Sequence, residues 1–256
     1  MLGKEVTLMT KSLTIDNLKI GEGIPKICVS ITGRNVSEVL KQVDNIMVKE
    51  PDLIEWRVDF FDDVEDLSSV ADTLRLIKER IRKIPLIFTF RTSREGGERE
   101  ITVAEYVNLN KQMAANELTD LLDVEIFTCQ DRAKELIAAI HDAGKLVIAS
   151  NHDFEKTPSE VELIAILKKM EALNADILKL AVMPNDSEDV KVLLQTTAKM
   201  KVMTDKLLIT MSMGSLGAIS RIVGQQYGSS VTFASIGQAS APGQIEIDEL
   251  RKLLDS

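Results

Sequence analysis

The sequence predicts an α/β fold, a (β/α)8 TIM barrel, from an alternation that covers most of the chain. Short apolar runs rich in β-branched residues alternate with longer segments of helical spacing, and successive runs start roughly 24 to 36 residues apart. This spacing is typical of strand–helix units that build a parallel sheet. No glycine-rich dinucleotide-binding motif follows the first run, which disfavours the alternative of an open, doubly wound sheet.

Eight apolar runs are the predicted strands of the barrel. In chain order they are Lys26–Ile31, Leu53–Asp59, Pro85–Arg91, Leu121–Ile126, Lys145–Ser150, Ile177–Met183, Leu207–Met213 and Val231–Ile236. Apolar residues recur at positions i, i+3, i+4 and i+7 between Val36 and Met47, which predicts an amphipathic helix after the first strand. A capping-box pattern that begins at Thr157, with Pro158 at the first helical position, predicts the start of another helix.

The prediction is one domain over residues 1–256, because barrels of this kind commonly reach about 250 residues. Residues 1–25 do not belong to the strand–helix repeat. Within them, Val6–Thr10 and Leu18–Ile20 are predicted to pair as a hairpin that closes the bottom of the barrel and ends at Pro25.

Composition and charge exclude several classes of function. The formal net charge is −9, without the basic patch that a nucleic-acid-binding protein needs. The two cysteines form neither a disulfide framework nor a zinc-binding spacing. The chain has no signal-peptide pattern and no apolar run long enough to span a membrane. We therefore expect a cytoplasmic protein that binds neither membranes nor nucleic acid.

Charged residues gather where the predicted strands end, which is the end that carries the active site in barrels of this class. Glu55, Arg57 and Asp59 alternate along the second strand and therefore share one face, and Asp123 and Glu125 do the same on the fourth. Parallel strands that are covered on both faces normally read as continuous apolar runs. These charges either lie solvated at the rim of the barrel or form a polar pocket, and their recurrence on several strands favours the pocket.

Lys179 lies within the apolar sixth strand, and lysine is seldom buried without a partner or a function. Desolvation and nearby positive charge would leave an amine that attacks a carbonyl carbon. The alternative is a lysine that extends to the mouth of the barrel or pairs with Asp123 or Glu125. Position alone leaves both interpretations open.

The chain has two histidines, and only one of them follows a predicted strand. His152 comes directly after the fifth strand, where it is either a packed loop residue or an acid–base group. Glu95, in the glycine-rich segment after the third strand, is a candidate to orient one imidazole nitrogen. His141 is predicted to lie at the end of a helix closed by Gly144, and we assign it no catalytic role.

Seven short motifs, in order along the chain, resemble the type I 3-dehydroquinate dehydratases of the shikimate pathway. They are Glu55-Trp56-Arg57, Phe90-Arg91-Thr92-Ser93-Arg94-Glu95-Gly96-Gly97, Ser150-Asn151-His152-Asp153-Phe154, Lys179-Leu180-Ala181-Val182-Met183-Pro184, Met211-Ser212-Met213-Gly214, Ser220-Arg221 and Ala239-Ser240-Ala241-Pro242-Gly243-Gln244. The resemblance covers residues 26 to 256. Ser30 departs from it, because many relatives have proline there.

The resemblance implies a lyase that dehydrates 3-dehydroquinate to 3-dehydroshikimate, acts as a homodimer and uses no metal and no cofactor. Lys179 would form an imine with the substrate, His152 would be the acid–base group, and Glu95 would support the histidine. The remaining implied substrate-binding residues are Ser30, Glu55, Arg57, Arg91, Met211, Met213, Arg221, Ser240 and Gln244.

Two other functions remain open at this point. One is a Schiff-base aldolase that acts on a sugar phosphate, because barrels often bind phosphate after the seventh and eighth strands, where Gly214 and Gly217 lie. The other is a non-catalytic sensor of a shikimate-pathway acid. Such a sensor would need the arginines, but it would not need Lys179 and His152 together.

Overall fold

The computed structural model describes residues 12–237 and 239–256, and its centre is a curled sheet of parallel strands. A small antiparallel hairpin of β1 (Leu13–Ile15) and β2 (Leu18–Ile20) precedes this sheet. The barrel strands are β3 (Lys26–Ile31), β4 (Leu53–Arg57), β5 (Leu86–Thr89), β6 (Leu121–Glu125), β7 (Leu146–Asp153), β8 (Ile177–Val182), β9 (Leu207–Ser212) and β10 (Val231–Ser235). A short strand, β11 (Ile245–Glu246), pairs with the end of β10.

The eight barrel strands follow one another in space as they do in sequence, and β10 pairs with β3. The circle closes between β9 and β10 through the residues that lead into β10. There the Ser230 amide donates to the Leu208 carbonyl oxygen (2.8 Å), and the Thr210 amide donates to Ser229 Oγ (3.1 Å). The predicted (β/α)8 fold is confirmed, whereas the extent of the single domain over residues 1–256 stays a prediction.

Helices connect the strands and cover the outside of the sheet. They are α1 (Val36–Met47), α2 (Leu67–Ile81), α3 (Val103–Ala114), α4 (Ala133–Asp142), α5 (Glu160–Ala172), α6 (Ser187–Met203), α7 (Gly214–Gly217), α8 (Ile219–Tyr227) and α9 (Ile247–Leu254). The predicted first helix is confirmed. Among the helices of the described residues, none is both long and apolar enough to cross a membrane.

The predicted start of α5 is wrong by two residues. Ser159, not Thr157, is the N-cap, and it forms a capping box with Glu162. The Thr157 hydroxyl instead donates to the carbonyl oxygen of Met183, at the end of β8 (3.0 Å). A tertiary hydrogen bond has therefore taken the side chain that the local pattern assigned to the helix.

Most strand ends also differ from the prediction. β4 ends at Arg57, because residues Val58–Phe60 form a 3-10 turn, and β5 ends at Thr89, two residues early. β7 runs three residues further than predicted, because it pairs with β8 as far as Asp153 and Val182. The apolar runs locate the strands, but hydrogen bonding to neighbouring strands decides where each one ends.

The N-terminal hairpin lies over the bottom of the barrel, but its first strand is not the predicted one. Leu18–Ile20 pairs with Leu13–Ile15, whereas Val6–Thr10 lies outside the described residues. Ile15 and Ile20 are buried against the apolar residues that point inward from the strand starts. The hairpin therefore closes the N-terminal end, which leaves the C-terminal end for a site.

Candidate active site

The inward-facing side chains of the barrel change from apolar at the strand starts to polar at the strand ends. On β4, Leu53 packs in the bottom cluster, whereas Glu55 and Arg57 line a cavity above it. On β8, Ile177 packs below Lys179 in the same way. Because side chains alternate between the two faces of a strand, these residues share the inner face. The sequence thus builds an apolar plug and a polar chamber on the same strands.

The chamber is an open cavity with a volume of about 590 Å³, which includes the space at its mouth that is open to solvent. The predicted site residues that line it are Glu55, Arg57, Arg91, Glu95, His152, Lys179, Met211, Met213, Ser240 and Gln244. The other lining residues are Gly96, Phe154, Ala181, Phe233, Ala241 and Pro242. The structure therefore brings ten of the predicted residues around one space large enough for a small organic acid.

Lys179 is 4% exposed, and its ammonium group lies between two carboxylates and an aromatic ring. Its Nζ atom is 3.0 Å from Asp123 Oδ2 and 3.5 Å from Glu55 Oε1. It also lies 4.7 Å from the centre of the Phe233 ring. The pairing with Asp123 that the sequence offers as an alternative is present. The charges nearest to the amine are negative, whereas activation of the amine by a neighbouring cation would require a positive one. The pairing holds the amine inside the cavity.

His152, near the end of β7, and Glu95, in the turn after β5, form an almost fully buried pair above the end of β6. His152 Nδ1 lies 2.9 Å from Glu95 Oε2, and the backbone amide of His152 donates to the same oxygen (2.9 Å). The side-chain amide of Asn151 donates through Nδ2 to Glu95 Oε1 (3.3 Å). One imidazole nitrogen is thereby fixed against a carboxylate, and the ring lines the cavity with Lys179.

The surroundings of the pair disfavour charge on both partners. Burial, followed by the positive charges of Arg91, Lys179 and Arg57, lowers the pKa of His152 well below its ordinary range. Burial, followed by the negative charge of Glu125, raises the pKa of Glu95 to about 8. Both shifts favour the uncharged partners, so the pair retains its shared proton to higher pH than an isolated carboxyl group would, and it loses that proton as the pH rises.

Arg91 lines the cavity and connects three buried carboxylates. Its Nη2 donates to Asp123 Oδ1 (2.9 Å), and its Nη1 donates to Glu125 Oε1 (3.0 Å) and lies 3.4 Å from Glu95 Oε2. Ser150 Oγ, 2.5 Å from Asp123 Oδ1, also accepts from Arg91 (3.0 Å). Burial opposes the charged form of Asp123, but Arg91 and Lys179 outweigh it and lower the pKa of Asp123 to about 2.

Glu55 and Arg57 are held from behind by other polar groups. Ser30 Oγ donates to Glu55 Oε2 (2.6 Å), and Thr89 Oγ1 donates to Glu55 Oε1 (3.0 Å). Arg57 donates to both carboxylate oxygens of Asp59 (2.8 Å each). Ser30, which the family resemblance implies as a substrate-binding residue, is not among the residues that line the cavity. Its hydroxyl instead holds Glu55, which does line it.

Arg221 is buried behind the cavity wall, where its contacts among the described residues are all with neutral acceptors. Its Nη2 donates to the Pro242 carbonyl oxygen (3.1 Å), its Nη1 approaches the Phe233 carbonyl oxygen (3.5 Å) and Met211 Sδ (3.8 Å), and its Nε has no partner within the described residues. Burial alone lowers its pKa to about 10. The residue does not line the cavity, but Met211 and Pro242, which it contacts, do.

The segment from Ser240 to Gln244 covers one side of the cavity mouth. Gln244 donates to Ser240 Oγ (2.9 Å) and accepts from the Ser240 amide (2.9 Å), which makes the segment a compact turn. Gly243 has a φ of +76°, and a Cβ atom there would lie 2.2 Å from the carbonyl oxygen of Gly214. Only glycine fits this approach between the segment and the loop after β9.

Comparison with known proteins agrees with this site. Residues 27–256 match the type I 3-dehydroquinase family. This chain belongs to that family. A 3-dehydroquinate dehydratase from Clostridium kluyveri is 44% identical over 96% of this chain and 97% of its own length.

Two solved structures of family members superpose closely on this fold. The 3-dehydroquinate dehydratase of Geobacillus kaustophilus matches with a TM-score of 0.93 and 38% identity, over 96% of this chain and 95% of its own. The type I enzyme of Clostridium difficile, solved with covalently modified comenic acid, matches with a TM-score of 0.92 and 43% identity, over 96% and 97% of the two chains.

Asp123 and Phe233 belong to this site but lie outside the sequence motifs. Asp123 contacts Lys179 directly, and Phe233 lines the cavity. The strand alternation contains a signal for Asp123 and Phe233, because both occupy inward-facing positions. His141 pairs with Asp176 (2.9 Å) near the bottom of the barrel, away from the site.

Proposed function

We propose that this protein dehydrates 3-dehydroquinate to 3-dehydroshikimate through an imine between the substrate ketone and Lys179. The observation that carries the proposal is the presence of one amine and one imidazole on the same cavity, each held by buried carboxylates. A covalent modification in the Clostridium difficile relative agrees with a nucleophile in this fold.

The reaction needs an electron sink, because an unassisted ketone stabilises an adjacent carbanion poorly. Lys179 attacks the carbonyl carbon, and loss of water leaves a protonated imine that withdraws electrons from the α-carbon. Removal of the α-proton then gives an enamine, which expels the β-hydroxyl group as water once that group is protonated. Hydrolysis of the resulting conjugated imine releases the enone and regenerates the amine, so the chain's own lysine replaces a cofactor.

His152 is the group that moves the protons in this scheme. It takes the α-proton in one step and returns it to the departing hydroxyl in the next, which a single group can do because the steps are sequential. Glu95 holds Nδ1 of the ring, so the other nitrogen faces the substrate. The pair accepts a proton when Glu95 is ionised and the imidazole is neutral, because Nδ1 then donates to Glu95 and the other nitrogen is free to accept.

Substrate binding is assigned to the polar walls of the cavity. Glu55 and Arg57 would bind the hydroxyl groups, and Arg221 would bind the carboxylate when the segment around Pro242 moves. Arg221 suits this role because it is a buried guanidinium that faces neutral acceptors instead of an acid. A guanidinium binds a carboxylate through two parallel hydrogen bonds.

The sugar-phosphate alternative has less support at the loop after β9. The amide of Gly214 already donates to the Pro242 carbonyl oxygen (3.2 Å). At Gly217, a Cβ atom would lie 2.3 Å from the backbone of Ser212, so that position is packed closely against β9. A sensor would not need the amine and the imidazole that the cavity holds together.

A steady-state assay tests the proposal. The purified protein should convert 3-dehydroquinate to a conjugated enone, which is followed by its ultraviolet absorbance. Inorganic phosphate at millimolar concentration should leave this rate unchanged. An aldolase-like enzyme would bind phosphate at the site for its sugar phosphate, so phosphate would compete with substrate and lower the rate. Binding of 3-dehydroquinate without enone formation would favour the sensor and refute the proposal.

We also propose that the enzyme acts in the cytoplasm, in the shikimate pathway, as a homodimer. These assignments follow from the family resemblance and are separate from the chemistry. Sedimentation equilibrium over a tenfold concentration range measures the mass in solution, and a single species at 28.4 kDa would refute the dimer.

A further inference from the structure

Glu125, the last residue of β6, is fully buried and does not line the cavity. Its Oε1 accepts hydrogen bonds from the Thr92 amide (2.8 Å) and Arg91 Nη1 (3.0 Å). Its Oε2 accepts from Thr92 Oγ1 (2.7 Å) and Thr128 Oγ1 (2.7 Å). A buried charge persists only where its partners compensate the loss of water, and these four donors do so.

Two of these partners lead directly to the Glu95–His152 pair. Thr92 immediately precedes the 3-10 turn Ser93–Glu95, which carries Glu95 at its end. Arg91 touches Glu125 and Glu95 with the same Nη1 atom. Glu125 thus fixes both the turn that carries Glu95 and the cation that faces it.

The charges around the pair come from several strands. Glu95 faces Arg91 from its own loop and both Asp123 and Glu125 from β6. Lys179 on β8 and Arg57 on β4 act on His152. Of the two carboxylates on β6, Asp123 is paired with Lys179 as well as Arg91, so its charge is largely compensated.

The groups that face Glu125 are Arg91, the phenol of Tyr106 on α3, and the thiol of Cys129. The Tyr106 hydroxyl accepts from the Glu125 amide (3.0 Å). Arg91 is therefore the cation in direct contact with Glu125, and it is shared with Glu95 and Asp123. Because three carboxylates share Arg91, this cation compensates the charge of Glu125 only in part. The remaining negative charge acts on the neighbouring Glu95–His152 pair.

We propose that Glu125 is a positioning residue for the Glu95–His152 pair, which it holds in place through Thr92 and Arg91 and whose proton it retains through its negative charge. This inference rests on the proposed function, in which that pair moves the protons. Glu125 itself touches neither the cavity nor a reacting atom.

The direction of the charge effect follows from the sign of Glu125. A nearby negative charge stabilises the protonated form of Glu95, and Glu125 is the leading charge that raises the pKa of that carboxyl. In the free enzyme the proton-accepting form of the pair appears as the pH rises, so kcat/KM should rise with pH on its acid side. Removing the charge of Glu125 should move this rise to lower pH.

The test compares the pH profile of kcat/KM for 3-dehydroquinate in the wild type and in Glu125→Gln, which keeps the size of the side chain and removes the charge. We expect the rise to shift by about half a pH unit or more toward acid. The plateau of kcat should fall at least about tenfold, because the turn that carries Glu95 is loosened. KM should change less than threefold, since Glu125 does not reach the cavity.

Two controls separate this effect from general damage. Glu125→Asp keeps the charge, so it should lower the plateau and leave the position of the rise unchanged. Asp120→Asn removes a carboxylate just before the same strand, at its other end, where it binds Lys78 and the Leu86 amide. It should change neither the plateau nor the rise. A lower plateau with an unmoved rise in Glu125→Gln would overturn the proposal.

A second variant keeps the proposal open to refutation if Glu125→Gln does not fold. Thr128→Val removes one donor from Glu125 Oε2 and leaves every charge in place. The less compensated carboxylate should then move the rise toward higher pH, opposite to Glu125→Gln, and an acid shift or no shift would contradict us. Borohydride should still trap the imine between Lys179 and 3-dehydroquinate in each of these Glu125, Asp120 and Thr128 variants. If it traps no imine in the wild type, the proposed function is rejected, which is a different outcome from rejection of the role of Glu125.

Discussion

The two ends of the barrel use carboxylates for different purposes. At the bottom, three aspartates each lie one residue before a strand: Asp52 before β4, Asp120 before β6 and Asp176 before β8. Each accepts a hydrogen bond from a backbone amide at the start of the preceding strand, which is β3, β5 or β7. Their acceptor oxygens lie 2.8 Å from the Ile27 amide, 2.7 Å from the Leu86 amide and 2.8 Å from the Val147 amide. These aspartates join neighbouring strands and belong to the scaffold.

At the top, the carboxylates hold the side chains around the cavity in place and do not bind the amides at the strand starts. Asp123 pairs with Lys179 and Arg91, and Glu95 pairs with His152 at the cavity wall. Most of these groups are almost fully buried, whereas Asp120 and Asp176 retain about a fifth of their side-chain exposure (18% and 22%). Burial of charge on a strand therefore distinguishes the chemical end of this barrel from the structural end.

The largest expected effect is at the top of the barrel. Lys179→Ala should lower kcat by about 10⁴-fold or more, because no imine can form. The matched control is Lys78→Ala, which breaks a lysine–carboxylate pair at the bottom (2.8 Å to Asp120) and should keep kcat within about twofold. Equal losses in the two variants would remove the distinction between the ends.

The second effect is on stability and comes from the apolar plug. Ile20 is fully buried against the inner face of the barrel, so Ile20→Ala should lower the free energy of unfolding by about 2–5 kcal/mol. Urea unfolding followed by circular dichroism measures this change. At a temperature where the variant is folded, kcat should equal that of the wild type; a large fall would mean that the plug also shapes the cavity.

A smaller effect is expected for Arg221, which contacts Pro242 in the segment from Ser240 to Gln244 at the cavity mouth. Arg221→Ala should raise KM by about 10- to 100-fold, since a charge-assisted hydrogen bond contributes about 1.5–3 kcal/mol, and kcat should change much less. Arg221→Lys keeps the positive charge but loses the two parallel donors of the guanidinium. We therefore expect its KM to lie between those of the wild type and Arg221→Ala. An unchanged KM together with a reduced kcat would assign Arg221 to the chemistry instead of to binding.

The smallest effect is expected at the bottom aspartates. Asp120→Asn should lower the free energy of unfolding by about 1 kcal/mol, because it weakens the pair with Lys78 and the hydrogen bond from the Leu86 amide. Thermal unfolding measures the loss, and the kcat plateau is measured alongside it. More than a threefold fall in kcat would place Asp120 in the functional network.

The sequence predicts the architecture well because strand and helix periods are local properties. The spacing of the apolar runs indicates eight strand–helix units, and the eight barrel strands lie within them or overlap them. The strand ends are less predictable: Asp59 leaves β4 for a 3-10 turn in which it binds Arg57. The hairpin partner of Leu18–Ile20 is Leu13–Ile15, which is joined to it by Asp16 and Asn17 alone; the local turn, with Asp16 at φ +50°, decides this pairing.

For the site, the sequence identifies residues better than it identifies contacts. Lys179 stands out because it interrupts a strand that should be apolar, and His152 and Glu95 stand out because they follow the ends of predicted strands. The structure places all three on one cavity. The side-chain partners of Asp123, Glu125 and Ser30 depend on which strands are neighbours in the barrel. The motifs alone therefore cannot predict these partners. The position of Arg221 behind Pro242 likewise follows from packing, not from a local pattern.

The most direct test of the central claim is an intact-mass spectrum after incubation with 3-dehydroquinate and sodium borohydride, followed by peptide mapping. Borohydride reduces an imine to a stable secondary amine, so the account predicts one added substrate-derived mass, located on Lys179, and none in Lys179→Ala. A folded protein that forms enone product without any such adduct, or that carries the adduct on another lysine, would contradict the account.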